Sequence, residues 1–385
     1  MKKMYVFSAL CIIFVVMKHI GHDIVHEPLT YTPVWRIPAF MFISGYFFKR
    51  EYSNNILKFF YKKVKSLIIP LYGWSLFYGI MVYLFQSFGL INFGDKITIA
   101  SFFVDTFLHS HNYGYNSAMW FLSALFLVEI LYIMFCKLFF NKFRGDITLL
   151  VMFVILNISS VNLARYMYIY ELDTIKWIHF LKSTYFIVFF HLGQLYKIYI
   201  EHKDGFSFYK LVIPLVINMS IATFFCGDTQ DISRIELLYF DSSWMFFTNS
   251  NAWVPLVTSM TSIYFWLKVA ELISKSISDG DLIVKIGKNT FGIMTHHIFC
   301  FWLINSIIYY IIGYKGFNYD LYMNDVWYKI IDYWPFSNMI YLLGGVIGSI
   351  YITQIFTYIK NKLLKNFKVI KNESLGNRCL WSAWL

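Results

Sequence analysis

Histidine takes and returns a proton near neutral pH, with an ordinary pKa of about 6.5, and several of the chain's ten histidines stand where water is scarce. His19 closes the first apolar run, directly after Lys18. His191 lies inside a later run, and His296 and His297 are adjacent in another. Arg36 opens the segment RIPAFMFISGYFFKR, Arg36 to Arg50. An ionisable group at membrane depth costs about 2.5–3.5 kcal/mol on insertion scales, so each needs a partner or a task. The available chemistry is proton abstraction by an imidazole, covalent attack by it, or stabilisation of a developing negative charge by a guanidinium. His296 and His297 point in two directions from one helix, so at most one of them enters a common site with His19.

Other candidates are binding rather than reacting groups. Ser44 and Gly45 interrupt an apolar run ahead of Tyr46; small residues there serve close helix packing or contact with a ligand. Trp120 opens MWFLSALF, Met119 to Phe126, after a polar, aromatic loop holding His109, His111, Tyr113 and Tyr115. It reads as an interfacial anchor or as a stacking surface for a sugar ring. Lys182 and Glu129 fall near span edges, where long side chains snorkel to the surface. His22, Asp23, His26 and Glu27 lack a recognised metal-ligand spacing, and five scattered cysteines show no CxxC pair, so no metal and no disulfide framework is expected.

The elements that must position these residues follow from composition. Of 385 residues, 58% are hydrophobic even before glycine is counted, and 14% are charged. A soluble protein has about 45–50% and about 25%, so a water-soluble globule is excluded and so is disorder. Besides the N-terminal run, apolar stretches occur at roughly 36–48, 67–85, 119–138, 147–163, 179–198, 211–226, 251–273, 290–312 and 336–359. The expectation is an all-α polytopic membrane bundle of about ten transmembrane helices, with residues 1–360 as one integral-membrane domain and 361–385 as a basic tail. The run Met4 to Met17 is kept as a span, since no small-residue cleavage site follows it.

Charge gives a direction. With the N-terminus in the cytoplasm, 24 of the 33 Lys and Arg fall on the cytoplasmic side and six on the other, and three lie in or beside spans. Both termini are then cytoplasmic. The net charge of +11 reflects this orientation bias and the lipid bilayer rather than nucleic acid. The stretch Lys49 to Lys65, with Ile56, Leu57, Phe59, Phe60 and Val64 between its charges, suits an amphipathic helix on the anionic inner leaflet or a solvated loop.

Taken in order, CIIFVVMKH ending at His19, RIPAFMFISGYFFKR, MWFLSALF, and GKNTFGIMTHHIF from Gly287 to Phe299 resemble the integral-membrane acyltransferase family 3, which includes bacterial polysaccharide and fucose O-acetylases. The resemblance implies that His19 corresponds to the family's essential first-span histidine. Ser44 to Tyr46 correspond to its SGF/SGY element, Arg36 to a basic position before it, and His296 or His297 to the ninth-span histidine. Eleven positions before His19, where the family usually carries Arg or Lys, this chain has Ser8. The implied reaction moves an acetyl group from cytosolic acetyl-CoA to a hydroxyl of a cell-surface or lipid-linked polysaccharide at a bacterial plasma membrane, His19 acting as general base or through an acetyl-histidine. Trp120 and Tyr113 are candidate contacts to the glycan acceptor. An exporter of glycan or lipid-linked sugar, making no bond, is the competing expectation, and the sequence leaves the oligomeric state open.

Overall fold

Lipid offers no partner for a backbone N–H or C=O, so apolar segments of this length satisfy themselves as helices, and this is what a computed structural model of the chain shows. It describes residues 1–20, 35–108, 112–139, 144–170, 172, 177–226, 251–330 and 337–373. Among them every regular element is helical. The main ones, in chain order, are α1 (Lys2–Ile20), α2 (Arg36–Phe47), α3 (Ile56–Ser87), α4 (Trp120–Phe139), α5 (Arg144–Ile169), α6 (Ile178–Leu195), α7 (Tyr209–Cys226), α8 (Val254–Ser276), α9 (Leu282–Lys288), α10 (Thr290–Ile312) and α11 (Tyr319–Asn324). The last, α12, begins at Ser337–Leu343, passes through one wide turn at Gly344–Gly348 and continues as Ser349–Glu373. The boundary expected at residue 360 falls inside this last helix.

Seven described helices are long and apolar enough to cross a membrane: α1, α3, α4, α5, α8, α10 and α12. The other stretches read as spans, 36–48, 179–198 and 211–226, form α2, α6 and α7, so each expected apolar run is a helix. One difference concerns the basic segment before the third span. Ile56 to Lys63 does not lie apart from it but runs into it as a single helix of 32 residues. Its wide turn at Val64–Ile68 ends two residues before Pro70. Proline cannot donate to the carbonyl four residues back and its ring crowds that carbonyl; the widened turn gives it room.

α1 is the central element, bordered by α2, α8, α9, α10 and α12. α2 packs most extensively against α6, and two glycines allow it. A Cβ on Gly45 would stand 1.8 Å from the Phe190 carbonyl oxygen, and one on Gly193 would stand 2.0 Å from that of Phe42. Gly45 of the Ser44–Gly45 pair therefore serves a helix crossing. Gly45→Ala should force the two backbones apart at a cost of about 1–3 kcal/mol or more, read as a lowered thermal unfolding temperature in detergent. Gly73→Ala, where nothing lies within 4 Å, should leave that temperature unchanged or slightly raised.

One end of the bundle gathers ion pairs. Lys3 meets Glu201 at 3.3 Å, Arg50 meets Asp146 at 2.9 Å and Lys63 meets Glu129 at 2.6 Å. Lys268, wholly buried, contacts Asp204 at 2.7 Å and Glu271 at 2.9 Å, and Lys210 contacts Asp204 at 2.8 Å. Burial would raise the Asp204 carboxyl, but donors Lys210, Lys268 and Tyr264 outweigh it and bring it from 3.8 down to about 2. A depressed carboxylate stabilises the fold fully above its unfolded value and loses that contribution as pH falls through the folded one. Asp204→Asn should therefore lower the unfolding temperature near neutral pH, and the gap from wild type should close as pH drops from 3.8 toward about 2.

Glu129 and Lys182 correct an expectation. Neither snorkels: Glu129 is 3% exposed and reaches Lys63, while Lys182 is 0% exposed with its Nζ 4.2 Å above the Trp120 ring. In both cases a partner inside the bundle replaces the surface.

Candidate active site

The register of α1 against α9 and α10 is set at the basic end. A Cβ on Gly287 would lie 1.9 Å from the Tyr5 carbonyl oxygen, so only glycine lets α9 approach α1 so closely. Farther along, Ile12, Val16 and Ile20 of α1 pack in one apolar cluster with Ile293 and Phe301 of α10. That alignment brings His19 to His297. His19 Nδ1 stands 2.6 Å from His297 Nε2, and His297 Nδ1 stands 2.8 Å from the carbonyl oxygen of Ile293, one turn back.

With both rings neutral, these two contacts assign the protons between them. A carbonyl only accepts, so His297 Nδ1 carries the hydrogen and, in a neutral ring, its Nε2 is an acceptor. His19 Nδ1–H must then donate to it, which leaves the lone pair of neutral His19 on Nε2. The rings are 4° from parallel with centroids 4.9 Å apart. A ring radius on either side of the 2.6 Å contact accounts for that whole separation, so the rings are joined edge to edge in one plane and not stacked face to face. The donor N–H therefore points along the acceptor's lone pair. His297 is wholly buried and His19 half-buried. His19 lies 16 residues beyond Lys3, or ~24 Å along the helix.

His296 turns the other way. Its Nδ1 is 2.7 Å from the Tyr78 hydroxyl, and its ring packs on Trp74 and Phe356. His191 is also spoken for: its Nε2 donates to the Asp146 carbonyl at 3.0 Å and its Nδ1 accepts from Tyr132 at 2.9 Å. Arg36, the first residue of α2, is 6% exposed, and its Nε and Nη1 have no hydrogen-bond partner among the described residues. Trp35 before it is stacked on Phe7 and Trp266, which places the start of α2 beside the middle of α1. Ser8 spends its hydroxyl on the Met4 carbonyl at 2.8 Å.

The expected binding residues do not gather around the histidines. Tyr46 donates to Glu201 at 2.8 Å at the basic end, ten residues or ~15 Å from Arg36 along α2. Ser44 is half-buried on the same helix. Trp120 holds Lys182 against its face, and Tyr113 is wholly buried, packed against Gly79 of α3. Among the described residues no hydrogen bond or ring contact joins Tyr46, Trp120 or Tyr113 to either histidine. His22, Asp23, His26, Glu27, His109 and His111 lie outside the described residues. Among those described, no three His, Cys, Asp or Glu side chains converge on a point that suits a metal ion.

Sequence reasoning missed Trp327 and Lys329. The Trp327 ring lies 5.3 Å from that of His19, and Lys329 Nζ sits 5.6 Å from the Trp327 ring and 5.7 Å from Phe301, whose own ring is edge-on to His297 at 5.7 Å. The only signal was that Lys329 is one of six basic residues assigned to the far side.

Residues 7–358 match the sequence profile of an acyltransferase domain. The chain therefore belongs to acyltransferase family 3 and is a multi-pass membrane acyltransferase. No curated protein and no solved structure matches it.

Proposed function

We propose that the protein is an O-acetyltransferase that moves an acetyl group from cytosolic acetyl-CoA to a hydroxyl of a cell-surface or lipid-linked polysaccharide, with both termini cytoplasmic in a bacterial plasma membrane. The observation that carries this reading is the in-plane 2.6 Å contact between His19 and His297, with its lone pair at His19 Nε2. The acceptor hydroxyl gives its proton to that nitrogen while its oxygen attacks the thioester carbonyl. The carbon–sulfur bond then breaks, the departing thiolate takes the proton from His19, and coenzyme A and an acetyl ester result. Base catalysis of this kind contributes about 10²–10⁴ in rate. His297 holds the ring of His19 and its tautomer, and accepts from Nδ1–H when Nε2 is charged.

Donor and acceptor meet inside the bundle. The basic end, with Lys197, Lys285 and Lys288, suits the donor's phosphates, and its thioester has to reach ~24 Å inward from the level of Lys3 to His19. Arg36, buried partway along that distance, is the cation for the donor or for the oxyanion that forms on the carbonyl. Ser8, bonded to its own helix, contributes no charge there.

Purified protein in nanodiscs, given acetyl-CoA and candidate glycans, should release coenzyme A in proportion to ester-linked acetyl on the glycan. Release without acetylated product, or export of unmodified glycan by proteoliposomes, would overturn the proposal.

A further inference from the structure

Beyond α11 the chain does not leave the bundle. α11 lies against the outer part of α10, Tyr322 meeting Trp302 and Tyr309. Residues 325–330 then run back along α10 toward His297. The Tyr328 carbonyl accepts from Asn305 at 2.7 Å, and the Ile330 N–H donates to the Tyr341 hydroxyl at 3.1 Å; that hydroxyl in turn donates to Asn305. The segment thus stands level with Phe301 and Asn305, ~10–16 Å short of the end of α10 at Ile312. Non-helical backbone at such depth is tolerated where it is buried in protein or lines a water-filled cavity, and this one ends over the reacting histidines.

Its side chains are distinctive. Trp327 is 37% exposed, and its indole is tilted 56° against the His19 ring at 5.3 Å. Lys329 is held between two aromatic rings, with one hydrogen bond, to the Trp327 carbonyl at 2.5 Å. Lys3, Lys63, Lys210 and Lys268 each meet a carboxylate within 4 Å. Lys329 meets none among the described residues. Asp325, whose carboxylate accepts the Trp327 backbone N–H at 2.8 Å, acts on Lys329 only from beyond 4 Å. A partly desolvated ammonium beside a reaction centre and with no carboxylate in direct contact among the described residues can receive an anion, and an indole face beside it suits the apolar face of a sugar ring.

Resting on the acetyl-transfer reading, we propose that Trp327 and Lys329 form the acceptor subsite and select a sugar bearing an anionic group near the accepting hydroxyl: the ring lies on Trp327, and its carboxylate or phosphate pairs with Lys329. A carboxylate would come from an acidic sugar of the polysaccharide, and a phosphate from a sugar joined to a lipid carrier.

The test uses the full chain in nanodiscs, with a uronic-acid oligosaccharide, its carboxyl-reduced neutral counterpart and a hexose 1-phosphate as probes. Calorimetric binding should be tighter for at least one anionic probe than for the neutral one by about tenfold or more, and which of the two binds identifies the source of the charge. Lys329→Met should remove that preference, Lys329→Arg should restore most of it, and Trp327→Leu should weaken both classes of sugar. With turnover, the loss in Lys329→Met should fall in the acceptor KM. Equal binding of neutral and anionic probes, an unchanged preference in Lys329→Met, or a fall in kcat alone would overturn the subsite. Selective binding without acetyl transfer would overturn the enzymatic reading and leave the subsite standing. Acetylation of neutral glycan without selectivity would do the reverse.

Discussion

Replacing His19 by alanine is expected to lower acetyl transfer by about 10²–10⁴-fold, with the protein still inserted and monodisperse. The magnitude follows from removal of the only group whose lone pair the His297 contact fixes in place. The measurement is ester-linked acetyl on the glycan and coenzyme A release, each normalised to protein in the membrane. Full activity in His19→Ala would end the assignment. A general base and an acetyl-histidine are separated by rapid quench with radiolabelled donor in the absence of acceptor. Label retained on the wild-type protein and lost in His19→Ala would favour the covalent route, and no retained label would favour direct transfer.

The second large effect is expected at His297. His297→Ala removes the acceptor for His19 Nδ1–H, freeing the ring to rotate and to exchange tautomers, and should cost about 10–100-fold, as the loss of an orienting partner typically does. Because His297 acts through His19, the discriminating readout is the conservative variant. His297→Gln offers a carbonyl oxygen to the same N–H and should recover part of the rate, whereas a merely structural role predicts no difference between the two. His296→Phe is the contrast. It leaves Tyr78 buried without its 2.7 Å partner, a loss of about 1–3 kcal/mol that should appear as a lower unfolding temperature. Equal kinetic damage from His296→Phe and His297→Ala would contradict the division of roles.

How much of this is legible in the sequence depends on the range of the interaction. Helices are local, and among the described residues the expected apolar stretches are helices because lipid leaves the backbone no alternative. The opposite directions of His296 and His297 are also local, being a matter of spacing on one turn. Which of the two meets His19 is not, since it is decided by how α1 seats against Gly287 and the apolar cluster above it. Tyr46 and Trp120 illustrate the limit from the other side. Their residue types suit a sugar, but one is spent on Glu201 and the other on Lys182, partners distant in sequence. Lys329 escaped notice because a lysine between two helices reads as solvent-exposed, and only the fold reveals that its segment returns inward.

A carboxylate in the place of His297 would grip a charged His19 more tightly, yet it would stand as a permanent anion in a poorly polarisable interior. Two neutral imidazoles sharing one proton carry no formal charge between turnovers. Under the proposed mechanism a net positive charge exists only during the lifetime of a single proton transfer. The protein thus gives up some stabilisation of its imidazolium, and in exchange the His19–His297 pair itself adds no standing charge to the bundle.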